Sequence, residues 1–297
     1  MVLNEMLLLG FHDYETQGRR LADALGLPFA LVEIHRFPDG ESKVTLPSPL
    51  PEQIVVCRSL DRPNDKLVEL LLIARTAREM GVRRVILVAP YLCYMRQDIA
   101  FHAGEAVSQK IIGAFLAELF DAVITVDPHL HRIERLEQAI PRGDAVALTA
   151  APAMIEFLAQ HVQNPMLIGP DAESEQWVRA MAEPAGLEYA VATKERLGDR
   201  SVRTKLPDVS YQDRTIVLVD DMASTGRTLI AVASQLKFRG AGAIHCLVTH
   251  ALFADDATRQ LQEAGIEQIW SADSISHPSN VIHLAPLLAA AVRGLKS

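Results

Sequence analysis

The chain has 297 residues, 49% hydrophobic and 22% charged, with a formal net charge of −8 and only 16 Gly and 16 Pro. That apolar content excludes a disordered or collagen-like chain, and the acidic balance excludes a protein that coats nucleic acid through a basic stripe. The length suits one large α/β domain or two of about 150 residues. Three scattered cysteines, Cys57, Cys93 and Cys246, offer neither a disulfide framework nor a paired metal site. The apolar runs at 68–74 and 285–292 fall short of a membrane span, and Asn4 and Glu5 stand where a signal leader would build its apolar stretch. Together these features predict a soluble, cytoplasmic α/β protein with no nucleic-acid or membrane partner.

Short Val/Ile/Leu runs predict strands at 6–9, 30–35 and 54–57. Asn64 is placed to cap a helix through 67–79 that Gly81 stops. A strand at 84–89, a helix from 106 to 120 and a strand at 122–126 follow. The stretch PRGDAVALTAA at 141–151 breaks the rhythm and marks a boundary between domains 1–147 and 148–297. Beyond it come strands at 166–168 and 188–191, a charged segment at 192–205 that reads as a solvent-exposed loop, and a strand at 215–219. A helix after Thr228 ends near Gly240, and strands follow at 244–249, 267–271 and 281–284. Most runs are continuous rather than alternating, as in parallel strands buried on both faces. Strand–helix–strand alternation implies right-handed crossovers, and this many strands suits two sheets better than one. The halves share this rhythm without recognisable sequence identity.

The most informative stretch is TIVLVDDMASTGRTL, 215–229. An apolar strand runs into two carboxylates, then a small-residue and hydroxyl loop, then a helix. Backbone N–H groups of Ser224 to Thr228 at a helix N-terminus favour an anion, the hydroxyls of Ser224, Thr225 and Thr228 add donors, and Gly226 permits close approach. Asp220 and Asp221 suit sugar hydroxyls or Mg²⁺ held by oxygen, not phosphate. Two acids at the end of a buried strand are costly without a ligand, which disfavours an ordinary capped turn. No Walker sequence occurs.

VLVDDMASTGRT strongly resembles the phosphoribosyl-pyrophosphate (PRPP) loop of the type I phosphoribosyltransferase fold. The resemblance implies that Asp220 and Asp221 bind the ribose hydroxyls, and that Ala223, Ser224, Thr225, Gly226, Arg227 and Thr228 bind the 5-phosphate. Three further stretches are similar to the ribose-phosphate pyrophosphokinase family: HRFPDGESKV at 35–44, PYLCYMRQDIAFHAGEAVS at 90–108 and TVDPHLH at 125–131. RPNDKLVELL around Asn64 and Glu69, GPDAES around Asp171 and THALF at His250 extend the match along nearly the whole chain. Taken singly, FPDG is also turn chemistry, RQD a surface ion-pair segment, and Asp127–His129 a structural cap. Their joint order carries the resemblance.

The family implies two tandem phosphoribosyltransferase-like domains, each a mainly parallel sheet flanked by helices, with oligomer contacts from the first. Its reaction transfers the diphosphoryl group of ATP to the anomeric hydroxyl of ribose 5-phosphate, giving PRPP and AMP. Phe37, Asp39 and Glu41 are then expected to face the ATP of a neighbouring subunit, with Arg96, Gln97, Asp98 and His129 on the nucleotide. Lys194 and Arg196 are expected to close over the transferring phosphates, and His129 and Asp171 to stand around the Mg²⁺ of the ATP. The implied assembly is a dimer-based homo-oligomer, with a hexamer as one arrangement. Glu173, Ser174 and Trp177 replace the family's commoner Gly-Gly segment, Arg227 replaces a frequent Gly, and FHAGEAVS looks like the shorter, archaeal-type synthetases. The competing readings are a PRPP-consuming phosphoribosyltransferase and a non-catalytic regulatory subunit of the synthetase.

Overall fold

The computed structural model describes residues 6–198, 201–254 and 256–295, without the side chains of 194–198 and 201–203. It falls into two compact units. The first comprises the residues up to Thr149, Ser274–Ser276 and the segment from Leu284 onward. The second comprises Ala150–Asp273 and His277–His283.

Unit one holds, in chain order, β1 (Met6–Gly10), α1 (Glu15–Leu25), β2 (Phe29–Leu31), β3 (Glu33–Arg36), β4 (Ser42–Thr45), β5 (Gln53–Cys57), α2 (Pro63–Glu79), β6 (Arg84–Val88), α3 (Ser108–Leu119), β7 (Ala122–Val126) and β8 (Asp144–Leu148). Six of these strands form a parallel sheet in the order β2-β1-β5-β6-β7-β8, and β3 and β4 form a separate antiparallel hairpin. Leu8, Leu9, Ile54, Val55, Val56, Ile86 and Leu87 are wholly buried, the outcome expected of a sheet covered on both faces. A later helix, α8 (Ala285–Gly294), packs against α1 in this unit.

Unit two holds α4 (Ala151–His161), β9 (Met166–Gly169), α5 (Glu175–Ala185), β10 (Tyr189–Val191), β11 (Thr193–Gly198), β12 (Ser201–Lys205), β13 (Ile216–Ala223), α6 (Arg227–Phe238), β14 (Ile244–Ala251), α7 (Ala257–Glu263), β15 (Gln268–Ala272) and β16 (Asn280–Ile282); α8 (Ala285–Gly294) then belongs to unit one. Its sheet runs β10-β9-β13-β14-β15-β16 and is also parallel, with β11 and β12 as an antiparallel hairpin. The two units therefore repeat one topology. Even the equivalent helices α1, after β1, and α5, after β9, end alike: Gly26 (φ 71) and Gly186 (φ 63) take the left-handed conformation, and the amides of Leu27 and Leu187 reach back to the carbonyls of Ala22 and Ala182. No helix among the described residues is long and apolar enough to cross a membrane.

Several expectations change. The single strand expected at 30–35 splits: the Val32 amide still reaches the Gly10 carbonyl of β1 at 2.9 Å, but Glu33–Arg36 pairs instead with Ser42–Thr45. The charged loop expected at 192–205 is mostly a hairpin: Thr193, Val202 and Thr204 lie in strands, as β-branched residues favour. Asn64 does not cap α2; Arg62 in the left-handed region precedes Pro63 at the first turn, and the Asn64 side chain accepts a hydrogen bond from the Tyr94 hydroxyl. Strand β8 lies inside the stretch read as a boundary.

Candidate active site

Strand β13 carries the acid pair to the carboxyl edge of the sheet in unit two, where ligands of open parallel sheets bind. Asp221 is buried at 3% exposure, Asp220 is partly buried, and the Asp221 amide donates to the Asp220 carboxylate at 3.0 Å. The Asp220 carboxyl is held well above the usual carboxylate range, first by burial, then by the charges of Asp221 and Asp171. Three acids thus lie close enough at this edge for Asp221 and Asp171 to raise the cost of a charge on Asp220. That oxygen-rich, negatively charged donor set fits a hard divalent cation such as Mg²⁺.

Asp171 is set by its own turn. Its Oδ1 accepts the amides of Glu173 at 3.1 Å and Ser174 at 3.3 Å, capping the short 3₁₀ turn Ala172–Ser174. The Ser174 hydroxyl donates to the Asp171 carbonyl at 2.6 Å. Glu173 and Ser174 therefore build the seat of Asp171 with their backbone amides.

Ala223, the last residue of β13, is buried; beyond it Ser224 and Thr228 are partly exposed, and Thr225 and Arg227 are exposed. Gly226 caps α6 at φ 69, ψ 3. A β-carbon there would be strained by the backbone and would lie 3.3 Å from the Leu261 side chain, so glycine is required. Strand end, small-residue loop and helix N-terminus meet at one corner, and a helix N-terminus is a place that suits an anion.

The remaining residues lie elsewhere. Phe37, Asp39 and Glu41 share the tip of the β3–β4 hairpin in unit one, closed by Phe37 N–H to Glu41 C=O at 2.8 Å and Gly40 N–H to Phe37 C=O at 2.9 Å. Phe37 is 42% exposed, and its ring meets His35 edge-on with centroids 4.9 Å apart. Arg96, Gln97 and Asp98 follow β6. Arg96 is exposed, the Gln97 amide donates to the Ile99 carbonyl at 2.8 Å, and Asp98 accepts from Arg132 at 2.5 Å with its side chain only 4% exposed. Asp98 thus orients Arg132, a cation that sequence reasoning passed over because nothing local marks a pairing 34 residues away. His129 follows β7 after Asp127, which adopts φ 38, and its ring lies 4.0 Å from that of His131. Lys194 and Arg196 stand on β11, opposite Thr204 and Val202 in the hairpin register; their side chains lie outside the described residues.

Residues 6–119 match a family model described as the N-terminal domain of ribose phosphate pyrophosphokinase, and residues 147–285 match a phosphoribosyl transferase domain. The chain is 36% identical to the ribose-phosphate pyrophosphokinase of Methanopyrus kandleri, across 98% of this chain and 99% of that one. It is 32% identical to the enzyme of the same name from Sulfurisphaera tokodaii, across 96% and 99%. The crystal structure of phosphoribosylpyrophosphate synthetase from Mycobacterium smegmatis superposes with a TM-score of 0.84 over 98% of both chains, a likeness of fold at 20% identity.

Proposed function

The chain belongs to the ribose-phosphate pyrophosphokinase family, and from that premise we propose how its residues divide the work. It is a transferase of PRPP and nucleotide biosynthesis: the diphosphoryl group of ATP passes to the anomeric hydroxyl of ribose 5-phosphate, and AMP leaves. The ribose oxygen and the departing α-phosphate oxygen flank the β-phosphorus in line. Such chemistry depends on positioning and on cations around the transferring oxygens more than on a strong base.

Asp220 and Asp221 hold the ribose hydroxyls. The stretch Ala223, Ser224, Thr225, Gly226, Arg227 and Thr228 holds the 5-phosphate with backbone amides, hydroxyls and one guanidinium. Lys194 and Arg196 neutralise the transferring phosphates. Phe37 stacks on the adenine, with Asp39 and Glu41 beside it. Arg96, Gln97 and His129 meet the nucleotide, and Asp98 serves it by orienting Arg132. Mg²⁺ would be held through Asp171 and, by way of the ribose, near Asp220 and Asp221; His129 would meet it through water or phosphate, because imidazole is a poor ligand for that ion. When bound, the ion supplies charge neutralisation on the phosphates.

The exposed aromatic and carboxylates of the hairpin tip suit a surface that completes a neighbour's site, so we place the ATP site between subunits of a homo-oligomer acting in the cytoplasm. The observation that carries the reading is the strand-end acid pair running into the left-handed Gly226 corner. ATP labelled at the β-phosphorus tests it. Label recovered in PRPP supports diphosphoryl transfer, and label left in ADP refutes it.

A further inference from the structure

Strand register shows how unit one departs from its twin. In unit two Ile168 pairs with Leu218, and Gly169 follows Ile168; in unit one Leu9 pairs with Val56, and Gly10 follows Leu9. Two residues on from Leu218 stands Asp220, and two residues on from Val56 stands Arg58. The strand end that offers carboxylates to a ligand in unit two thus carries a buried guanidinium in unit one.

That guanidinium is answered from within. Arg58, 4% exposed, stacks on the Phe11 ring at 4.2 Å and donates to Oε2 of Glu69 at 2.6 Å. Glu69 is wholly buried on α2, and its other oxygen, Oε1, takes the Ser42 hydroxyl at 2.9 Å and the Arg36 guanidinium at 3.4 Å. Arg36 also pairs with Asp65 on the same helix. Arg36 and Ser42 face each other as the last rung of the hairpin before its tip. One carboxylate therefore ties the sheet edge to the rung from which Phe37, Asp39 and Glu41 project. Phe11, Arg36, Arg58, Asp65 and Glu69 line one cleft of about 620 Å³.

We propose that Glu69 is a positioning residue for the nucleotide: it fixes the hairpin tip through Arg36 and Ser42, and Arg58 holds it there. A buried carboxylate between two guanidiniums has a definite place, and removing its charge leaves the buried Arg58 only the longer contact to Asp13 at 3.5 Å, while Arg36 keeps Asp65 but loses its tie to the core. The inference rests on the reading of the tip as a nucleotide contact, so the test separates the two.

Steady-state kinetics are measured for wild type, Phe37→Ala and Glu69→Gln, together with amide hydrogen exchange of the ligand-free full chain. Glu69→Gln is expected to raise the KM for ATP about tenfold or more, leaving kcat within about threefold and the KM for ribose 5-phosphate unchanged. Amides of 37–41 should exchange faster, while those of 54–57 on the sheet keep their protection. An unchanged KM for ATP, or an unchanged tip, while Phe37→Ala raises that KM, overturns the role of Glu69 alone. A Phe37→Ala enzyme with wild-type KM for ATP overturns the reading of the tip and this inference with it. Should Glu69→Gln not fold, the Arg36→Met, Ser42→Ala pair removes the same two struts from the hairpin side and is read by the same criteria.

Discussion

Gly226 gives the sharpest test of the phosphate corner. Alanine there must adopt φ 69, ψ 3 and bring its β-carbon to 3.3 Å from Cγ and Cδ2 of Leu261, a wholly buried core residue. Gly186 is the built-in comparison: it has φ 63 in the same unit, with nothing within 4 Å of a β-carbon. The left-handed conformation costs an alanine about 1–2 kcal/mol at either position. Crowding against a packed leucine adds roughly 1 kcal/mol or more at Gly226 alone. Gly186→Ala should therefore lose about 1–2 kcal/mol and Gly226→Ala about 2–3 kcal/mol. Urea unfolding of the ligand-free variants measures both losses, and kinetics supply the functional half. Gly226→Ala should raise the KM for ribose 5-phosphate, whereas Gly186→Ala should leave it alone. Equal stability losses would refute the crowding argument. A Gly226→Ala enzyme with a wild-type KM would refute the corner as the phosphate cradle.

Asp220 makes the ligand-free stability fall with pH. Its carboxyl is raised above the ordinary 3.8, so between that value and its folded one the folded state holds a proton that the unfolded state has released. Wild type should lose stability relative to Asp220→Asn as pH rises through that window, then run parallel to it; parallel denaturation midpoints from pH 4 upward would contradict the buried acid cluster. Lys194→Ala should lose most turnover yet bind ATP in a calorimeter as wild type does; weakened binding with full turnover at saturation would contradict its role. At an ATP concentration too low for Phe37→Ala to turn over well, mixing it with Lys194→Ala should raise activity through hybrid oligomers that contain one intact shared site, and no gain after confirmed subunit exchange would contradict that site. Cys93, its thiol pushed up to about 12 by burial, and the buried Cys57 and Cys246 should resist alkylation of the native protein at pH 8 and all react in denaturant; fast native labelling would contradict their burial.

Where a residue's role is local, the sequence announces it. The acid pair, the hydroxyl loop and the glycine before α6 stand within nine consecutive positions, and each has a strand-end or helix-start reason to be there. The parallel sheets show equally well, because burial on both faces leaves unbroken Val/Ile/Leu runs. Long-range pairings do not show. Glu69 meets Arg36 and Ser42 across 33 and 27 residues, and Asp98 meets Arg132 across 34, with charge types that are ordinary on any surface. The hairpins were hard to see for a related reason: their strands follow β2 and β10 after one residue, so each reads as a continuation of its neighbour or as a charged loop. The duplication of topology is legible in the shared strand–helix rhythm and in the family resemblance; what stays hidden is its point of divergence, since Arg58 and Asp220 occupy equivalent strand ends with opposite charge.

The central claim is diphosphoryl transfer to ribose 5-phosphate, and one time course tests it most directly. Purified protein is mixed with ATP, Mg²⁺ and ribose 5-phosphate, and AMP and PRPP are quantified together. The account predicts that both appear in equal amounts and that neither appears without ribose 5-phosphate. Formation of ADP in place of AMP, or no AMP from folded protein, would contradict it.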